Sequence, residues 1–130
     1  MQFTQFMEKY PTHHVEILKA DTQLKSVNDF LKFFSEKVEN NPLAIKIAEF
    51  DHYAHTSSLP EGEIAPSILA AKQLVFCFGI KIPSPLALGP RPRSIGITEH
   101  EDRFTIVFLE APNPKMHQTM LDWVSELQQA

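Results

Sequence analysis

The sequence predicts an α+β domain in which two long helices cover one face of an antiparallel or mixed sheet. Two stretches carry the apolar stripe of an amphipathic helix, one over residues 26–39 and one from residue 114 to the C-terminus. Five stretches show the alternation or the short apolar run of a strand, which gives the order β-α-β4-α. Because each long helix has one stripe to bury, a single sheet is the natural partner of both.

Length and composition indicate one domain over residues 1–130. A chain of this length buries roughly two-thirds of the surface that it exposes when unfolded, so it needs no disulfide or structural metal to fold. The net charge of −4 argues against nucleic acid as a partner, although it leaves room for a small basic patch. The fingerprints of ATP- and NAD-binding loops are absent, and no cofactor is predicted.

Three features predict a cytoplasmic location. The N-terminus lacks the basic start and apolar core of a signal peptide. No apolar run approaches the ~20 residues of a membrane span, so no membrane partner is expected. Cys77 is the single cysteine, which excludes an intramolecular disulfide and suits a reducing compartment.

The first half of the chain alternates short helices and strands. A short helix is predicted over residues 2–9, where Phe3, Phe6 and Met7 fall on one helical face. Residues 13–20 alternate as a strand. In the long helix that follows, Ser26 is the expected N-cap, with Asp29 three residues later, and Asn40-Asn41-Pro42 is the expected end.

The second half contains most of the sheet. Residues 43–50 and 73–80 read as strands, the latter apolar at nearly every position. A brief helix is predicted over residues 64–72. A proline-rich loop over residues 81–93 precedes two further strands and the last helix. Those two strands are predicted at 94–100 and 103–111.

Two resemblances accompany these elements. The β-α-β4-α order resembles the layout of TATA-binding-protein-like folds, which implies the arrangement of sheet and helices but not DNA binding. The stretches FDHYAHT (50–56), RPRSIG (91–96) and LEAPNP (109–114) resemble those of a set of short bacterial proteins of unknown function. This second resemblance implies no activity and indicates only where a site should be sought.

The histidine segment, Asp51 to His55, places a carboxylate and two imidazoles within five residues. If the backbone is extended, Asp51, Tyr53 and His55 share one face; if it is helical, His52 and His55 become neighbours. Either arrangement suits ligand binding, acid–base chemistry or a metal, since the pKa of imidazole lies near 6.5. A metal would need a third ligand, from His100, His117 or Glu110. The alternative is a solvated strand end with no chemistry.

Arg91 and Arg93 lie two residues apart in the proline-rich loop. On an extended backbone both guanidinium groups project to the same side and form a preorganised clamp for a carboxylate or phosphate. The alternatives are ion pairs with the protein's own carboxylates, with Glu110 as the simplest partner, and contacts with a partner chain.

Two other groups of residues are expected to take no part in catalysis or ligand binding. Cys77 lies between apolar residues and is interpreted as an unreactive core residue, with a nucleophile beside His52 or His55 as the alternative. His13 and His14, at the start of the first strand, are expected to be exposed and are assigned no role.

Three hypotheses of function follow. The first is a pocket that binds a small anionic ligand and is lined by Asp51, His52, Tyr53, His55, Arg91 and Arg93. The second is a hydrolase, in which His52 or His55 acts as a base oriented by Asp51, or in which both histidines hold a divalent metal. The third is a homodimer, because strand 73–80 needs cover on both faces, whereas two helices cover one.

Overall fold

Two long helices pack on one face of a six-stranded antiparallel sheet in the computed structural model of the protein, which describes residues 1–129. The strands follow the order β1-β2-β6-β5-β4-β3 across the sheet. They are β1 (Gln2–Phe6), β2 (Tyr10–Leu18), β3 (Ala44–Asp51), β4 (Ala70–Phe78), β5 (Arg93–Glu99) and β6 (Arg103–Leu109). The helices are α1 (Val27–Glu39), α2 (His52–Ser58) and α3 (Pro114–Gln128).

The core lies between the sheet and helices α1 and α3, and its buried side chains form one cluster. The ring of Phe30 on α1 lies 4.6 Å from that of Phe104 on β6. The ring of Trp123 on α3 lies 5.7 Å from that of Phe76 on β4. Each such side chain stabilises the fold by about 1.5–3 kcal/mol when fully buried. The predicted α+β class and the packing of both long helices on one face are confirmed.

Helix α1 begins at its predicted cap, and α3 begins at the predicted residue, Pro114. The Ser26 hydroxyl accepts a hydrogen bond from the Asp29 N–H at 3.3 Å. At the start of α3 the Asn113 side chain accepts from the N–H groups of Lys115 and Met116, and Pro114 occupies the first helical position. Among the described residues, no helix is long and apolar enough to cross a membrane.

The helix predicted over residues 2–9 is wrong, because this segment forms strand β1 and pairs with β2. The turn between the two strands holds Met7 and Glu8 at φ values of 53° and 62°, and the Lys9 N–H donates to the Phe6 carbonyl at 3.2 Å. A hairpin turn with positive φ angles normally contains Asn or Gly at those positions. Since neither residue is present, the spacing of the aromatic side chains suggested a helix instead.

The brief helix predicted over residues 64–72 is also wrong. Residues 64–69 are irregular, and Ala70 and Ala71 begin β4 by pairing with Glu99 and Thr98 of β5. Alanine favours a helix by only a few tenths of a kcal/mol per residue, and pairing with a neighbouring strand outweighs that preference.

The second face of the sheet is not covered by the long helices. On β4, Val75 and Cys77 point away from the core and are half-buried. On the neighbouring edge strand β3, Ile45 and Phe50 remain 65% and 39% exposed. The sheet is therefore buried on one face, while the other is accessible: it is apolar over β3 and β4 and polar at Glu16, Thr98 and Thr105.

Candidate functional site

A cleft of about 540 Å³ lies between the loop that follows β4 and the start of α3. Its volume falls within the range of small-molecule sites. Nine of its fourteen lining residues are apolar and none carries a carboxylate. Four carry a positive charge, namely Lys81, Arg91, Arg93 and Lys115. We call this site the cationic cleft; it concentrates positive charge on a chain whose net charge is −4.

The four cations of the cleft lack internal counter-ions. Across residues 1–129, none of them has a carboxylate oxygen within 4.0 Å. Five other basic residues do have such partners: Lys19, Lys37, Lys46, Lys72 and Arg103. The structure therefore does not support the alternative in which Arg91 and Arg93 serve ion pairs with the protein's own carboxylates.

Arg93 is the buried member of the cleft, with 8% of its surface exposed. Its Nη1 donates to the Pro90 carbonyl at 3.4 Å and its Nη2 to the Leu109 carbonyl, while Nε is buried without a partner. Burial lowers the pKa of Arg93. Its partners are neutral, so the charge is incompletely compensated, and an anion placed beside it would be stabilised.

Arg91 is the half-buried member, and it lines the same cleft as Arg93. Its N–H donates to the Leu88 carbonyl at 3.3 Å, while Pro90 and Pro92 restrict the backbone on either side. Arg93 is fixed as the first residue of β5. The structure thus places Arg91 and Arg93, which the sequence predicts to act together, in one cleft. The segment that carries them has little backbone freedom.

The histidine segment curls into α2 instead of continuing β3. The Asp51 side chain caps this helix by accepting the Ala54 N–H at 2.9 Å, and it lies 3.8 Å from the Lys72 Nζ. The rings of His52 and His55 are exposed, lie 6.5 Å apart and both pack against Phe50. Within the described residues no hydrogen bond joins Asp51 to either imidazole. Tyr53 is half-buried on the same short helix.

The histidine segment and the two arginines lie at opposite ends of β4. Asp51 pairs with Lys72, whereas Arg93 pairs with Phe76. Four residues of a strand separate these positions by about 13 Å. The structure therefore does not bring the six predicted pocket residues into one pocket, and the cationic cleft contains only the two arginines from that set.

A second group of polar residues lies near the start of α3, and the sequence does not predict that its members meet. The Glu110 Oε1 lies 3.2 Å from the His13 Nε2 and 3.9 Å from the His117 Nε2. We call His13, Glu110 and His117 the imidazole cluster. The pKa of His117 is lowered by burial and by the neighbouring His13, and Arg93 adds to this effect while Glu110 opposes it.

The expectation that His13 is exposed is wrong, since only 13% of its side chain is accessible. The sequence did contain a signal. His13 has the same strand parity as Val15 and Ile17, which are buried, so its side chain also faces the helices. In the same way, His117 lies three residues before the buried Met120 on the apolar stripe of α3.

Cys77 does not lie in the core as expected. It pairs with Ile45 on the uncovered face, is half-buried, and its thiol donates to the Phe78 carbonyl at 3.4 Å. Since Cys77 and Asp51 lie at opposite ends of β3 and β4, the structure does not place the thiol beside His52 or His55.

Comparisons with known proteins identify a family but no activity. No curated protein and no solved structure gives a significant match. The resemblance to TATA-binding-protein-like folds consequently stays a prediction based on element order. A family model covers residues 1–129, which is nearly the whole chain. The chain belongs to a family of unknown function (DUF6858).

Proposed function

We propose that the protein binds a small organic anion with an apolar body in the cationic cleft. One observation carries this proposal: Lys81, Arg91, Arg93 and Lys115 line a mostly apolar cleft without any carboxylate of the described chain to neutralise them. If these residues served only to pack the fold, four cations would not be expected in one cleft, because like charges at short range repel one another.

The two arginines define the head group of the proposed ligand. A guanidinium donates two parallel hydrogen bonds to a carboxylate or a phosphate, which a lysine ammonium does not match. Arg91 is the more accessible of the two and is the expected direct contact. Arg93 contributes mainly charge, because its Nη groups already donate to two carbonyls.

The apolar lining defines the body of the ligand. Phe78, Ile80 and Met116 stand beside the cations, and burying an apolar group against them contributes about 25 cal/mol for each Å² removed from water. A short fatty acid or an aryl carboxylate matches both requirements. Inorganic phosphate matches only the charge and should bind more weakly.

The proposal is tested by isothermal titration with octanoate, together with octylamine and inorganic phosphate. Octanoate is expected to bind with one equivalent, phosphate weakly, and octylamine not at all, since its head group carries the wrong charge. Lys46→Ala is the matched control, because Lys46 is paired with Glu49 and lies outside the cleft. Equal affinities for octanoate and octylamine would exclude a role for the cations.

As a second candidate we propose a homodimer that buries the uncovered face of the sheet. The observation that favours it is the exposure of Ile45 and Phe50 beside the half-buried Val75 on that face. A stable dimer buries roughly 800 Å² on each partner. Sedimentation over a hundredfold range of protein concentration tests this proposal, and Ile45→Lys should yield a monomer. A wild-type monomer at every concentration would remove it.

We also propose a cytoplasmic location, supported by the free thiol of Cys77 on the accessible face of the sheet. A reducing compartment keeps such a thiol from forming intermolecular disulfides. Fractionation of cells that express the protein at native levels tests this location.

A further inference from the structure

We propose that His13, Glu110 and His117 bind a divalent transition-metal ion. The proposal is independent of the anion site, because the imidazole cluster lies outside the lining of the cationic cleft. In the described part of the chain, this is the group of three potential ligands whose donor atoms all lie within 4.8 Å of one another.

The geometry needs a side-chain adjustment to hold a metal. Ligand atoms at 2.0–2.2 Å from a tetrahedrally coordinated ion lie about 3.3–3.6 Å apart. The Glu110 Oε1 lies 3.2 Å from the His13 Nε2, close to this separation, and 3.9 Å from the His117 Nε2, slightly beyond it. The donor atoms of the cluster all lie within 4.8 Å of one another, so side-chain rotations must bring the widest pair closer by at most about 1.5 Å.

The surrounding fold holds the two imidazoles in place. His13 comes from β2 and His117 from α3, and their ring centroids lie 4.5 Å apart. The His13 ring also stacks on Phe108, with 5.7 Å between the ring centroids. The side chains of His13 and His117 are only 13% and 15% exposed. Glu110 is about half exposed, so the cluster has one open side through which an ion and a water ligand can enter.

Two features of the cluster oppose cation binding. The His117 Nδ1 accepts a long hydrogen bond of 3.4 Å from the Ala111 N–H. When Nε2 binds a metal, the proton resides on Nδ1, and this contact is lost. The positive charge of Arg93 is also close enough to act on His117. Both effects predict a site of moderate affinity instead of a permanently occupied structural one.

The donor set selects the class of metal. Two imidazole nitrogens and one carboxylate oxygen suit Zn²⁺, Co²⁺, Ni²⁺ and Fe²⁺, whereas Mg²⁺ and Ca²⁺ prefer oxygen ligands alone. Three protein ligands leave at least one coordination position open, as in catalytic rather than structural zinc sites.

Titration of tag-free, EDTA-treated protein with Co²⁺ tests the proposal, with Zn²⁺ as the competing ion. We expect one equivalent of Co²⁺, visible absorption bands more intense than those of the aqueous ion, and full reversal by Zn²⁺. Mg²⁺ should not compete. His117→Ala should abolish the bands, and Glu110→Gln should weaken binding by at least roughly tenfold.

His14→Ala is the matched control, because His14 neighbours His13 but lies on the opposite face of β2 and binds Gln2 instead. It should bind Co²⁺ like the wild type. Glu110→Gln decides the matter if His117→Ala fails to fold, since Glu110 lies at the surface. Unchanged binding in Glu110→Gln, an equal loss in His14→Ala, or no stoichiometric Co²⁺ binding by the wild type would each overturn the proposal.

Discussion

The histidine segment and the two arginines lie beside opposite ends of β4, and the charged groups of these two stretches have different partners. At one end, the Asp51 carboxylate caps α2 and lies near Lys72, while His52 and His55 are exposed to solvent. At the other end, Arg93 is buried with only neutral partners, and Arg91 lines the same cleft. The carboxylate of the first stretch has polar partners within the protein, whereas the arginines of the second have no carboxylate partner.

This difference indicates which of the two polar stretches is the better candidate for a ligand-binding site. Histidines near an aspartate attract attention in a sequence because they suit catalysis. In the structure, Asp51 is already engaged in the local backbone, so its function there is structural. An uncompensated buried charge is costly for the protein and is therefore the stronger indication of a ligand.

The largest expected effect is on stability, at the buried end of this comparison. Arg93→Ala removes two charged hydrogen bonds and leaves the carbonyls of Pro90 and Leu109 without donors. We expect the free energy of unfolding to fall by about 2–4 kcal/mol, because the loss of these hydrogen bonds and of the packed side chain outweighs the relief from burying its charge. Urea denaturation measures it, with His55→Ala as the control. A loss below that of the control would mean that Arg93 does not hold the cleft together.

The second effect is on binding and is specific to the cleft. Arg91→Ala should weaken octanoate binding by about 10- to 100-fold, since a charged hydrogen bond contributes about 1.5–3 kcal/mol. The melting temperature of the free protein should stay unchanged, because the described structure gives the Arg91 side chain no ion pair. Calorimetric titration measures the affinity. Equal binding by this variant and by Lys46→Ala would place the ligand elsewhere.

A smaller effect is expected at the other end of β4. Asp51→Ala removes the cap of α2 and should destabilise the protein by about 1 kcal/mol. Asp51→Ser should recover most of this loss, because serine also accepts a backbone N–H at an N-cap. Octanoate affinity should not change in either variant. If Asp51→Ala were to reduce binding, the two ends of β4 would have to cooperate after all.

The smallest effects are expected from the histidines that first drew attention. His52→Ala and His55→Ala should each change the free energy of unfolding by less than about 0.5 kcal/mol, as is usual for exposed positions. Neither variant should alter octanoate binding. Chemical denaturation and titration of both variants provide the measurement, and a tenfold loss of affinity in either one would restore the histidine segment as a site.

The sequence predicted the long elements because their signals are redundant. Helix α1 has a periodic stripe together with a cap at Ser26, and β4 is apolar from Leu74 to Phe78. The prediction of secondary structure was wrong where only one such signal was present. Phe3 and Phe6 have helical spacing, but pairing with β2 decides their structure, and no Gly or Asn marks the turn at Met7.

The candidate sites depended on contacts between distant segments, which a single sequence does not encode in any local pattern. The pairing of Arg91 with Arg93 is local, and the structure shows both on one cleft. The imidazole cluster draws on three elements separated by up to about a hundred residues. Strand parity and helical spacing are compatible with the inward orientation of His13 and His117, which the expectation of an exposed His13 overlooked, and neither pattern shows that the two side chains meet.

The most direct test of the central claim is the response of backbone amides to octanoate in ¹H–¹⁵N correlation spectra. We expect the signals that shift to belong to residues 80–93 and 111–116, around the cationic cleft, while those of residues 50–58 stay in place. Shifts confined to residues 50–58, or the absence of any saturable shift, would contradict this claim.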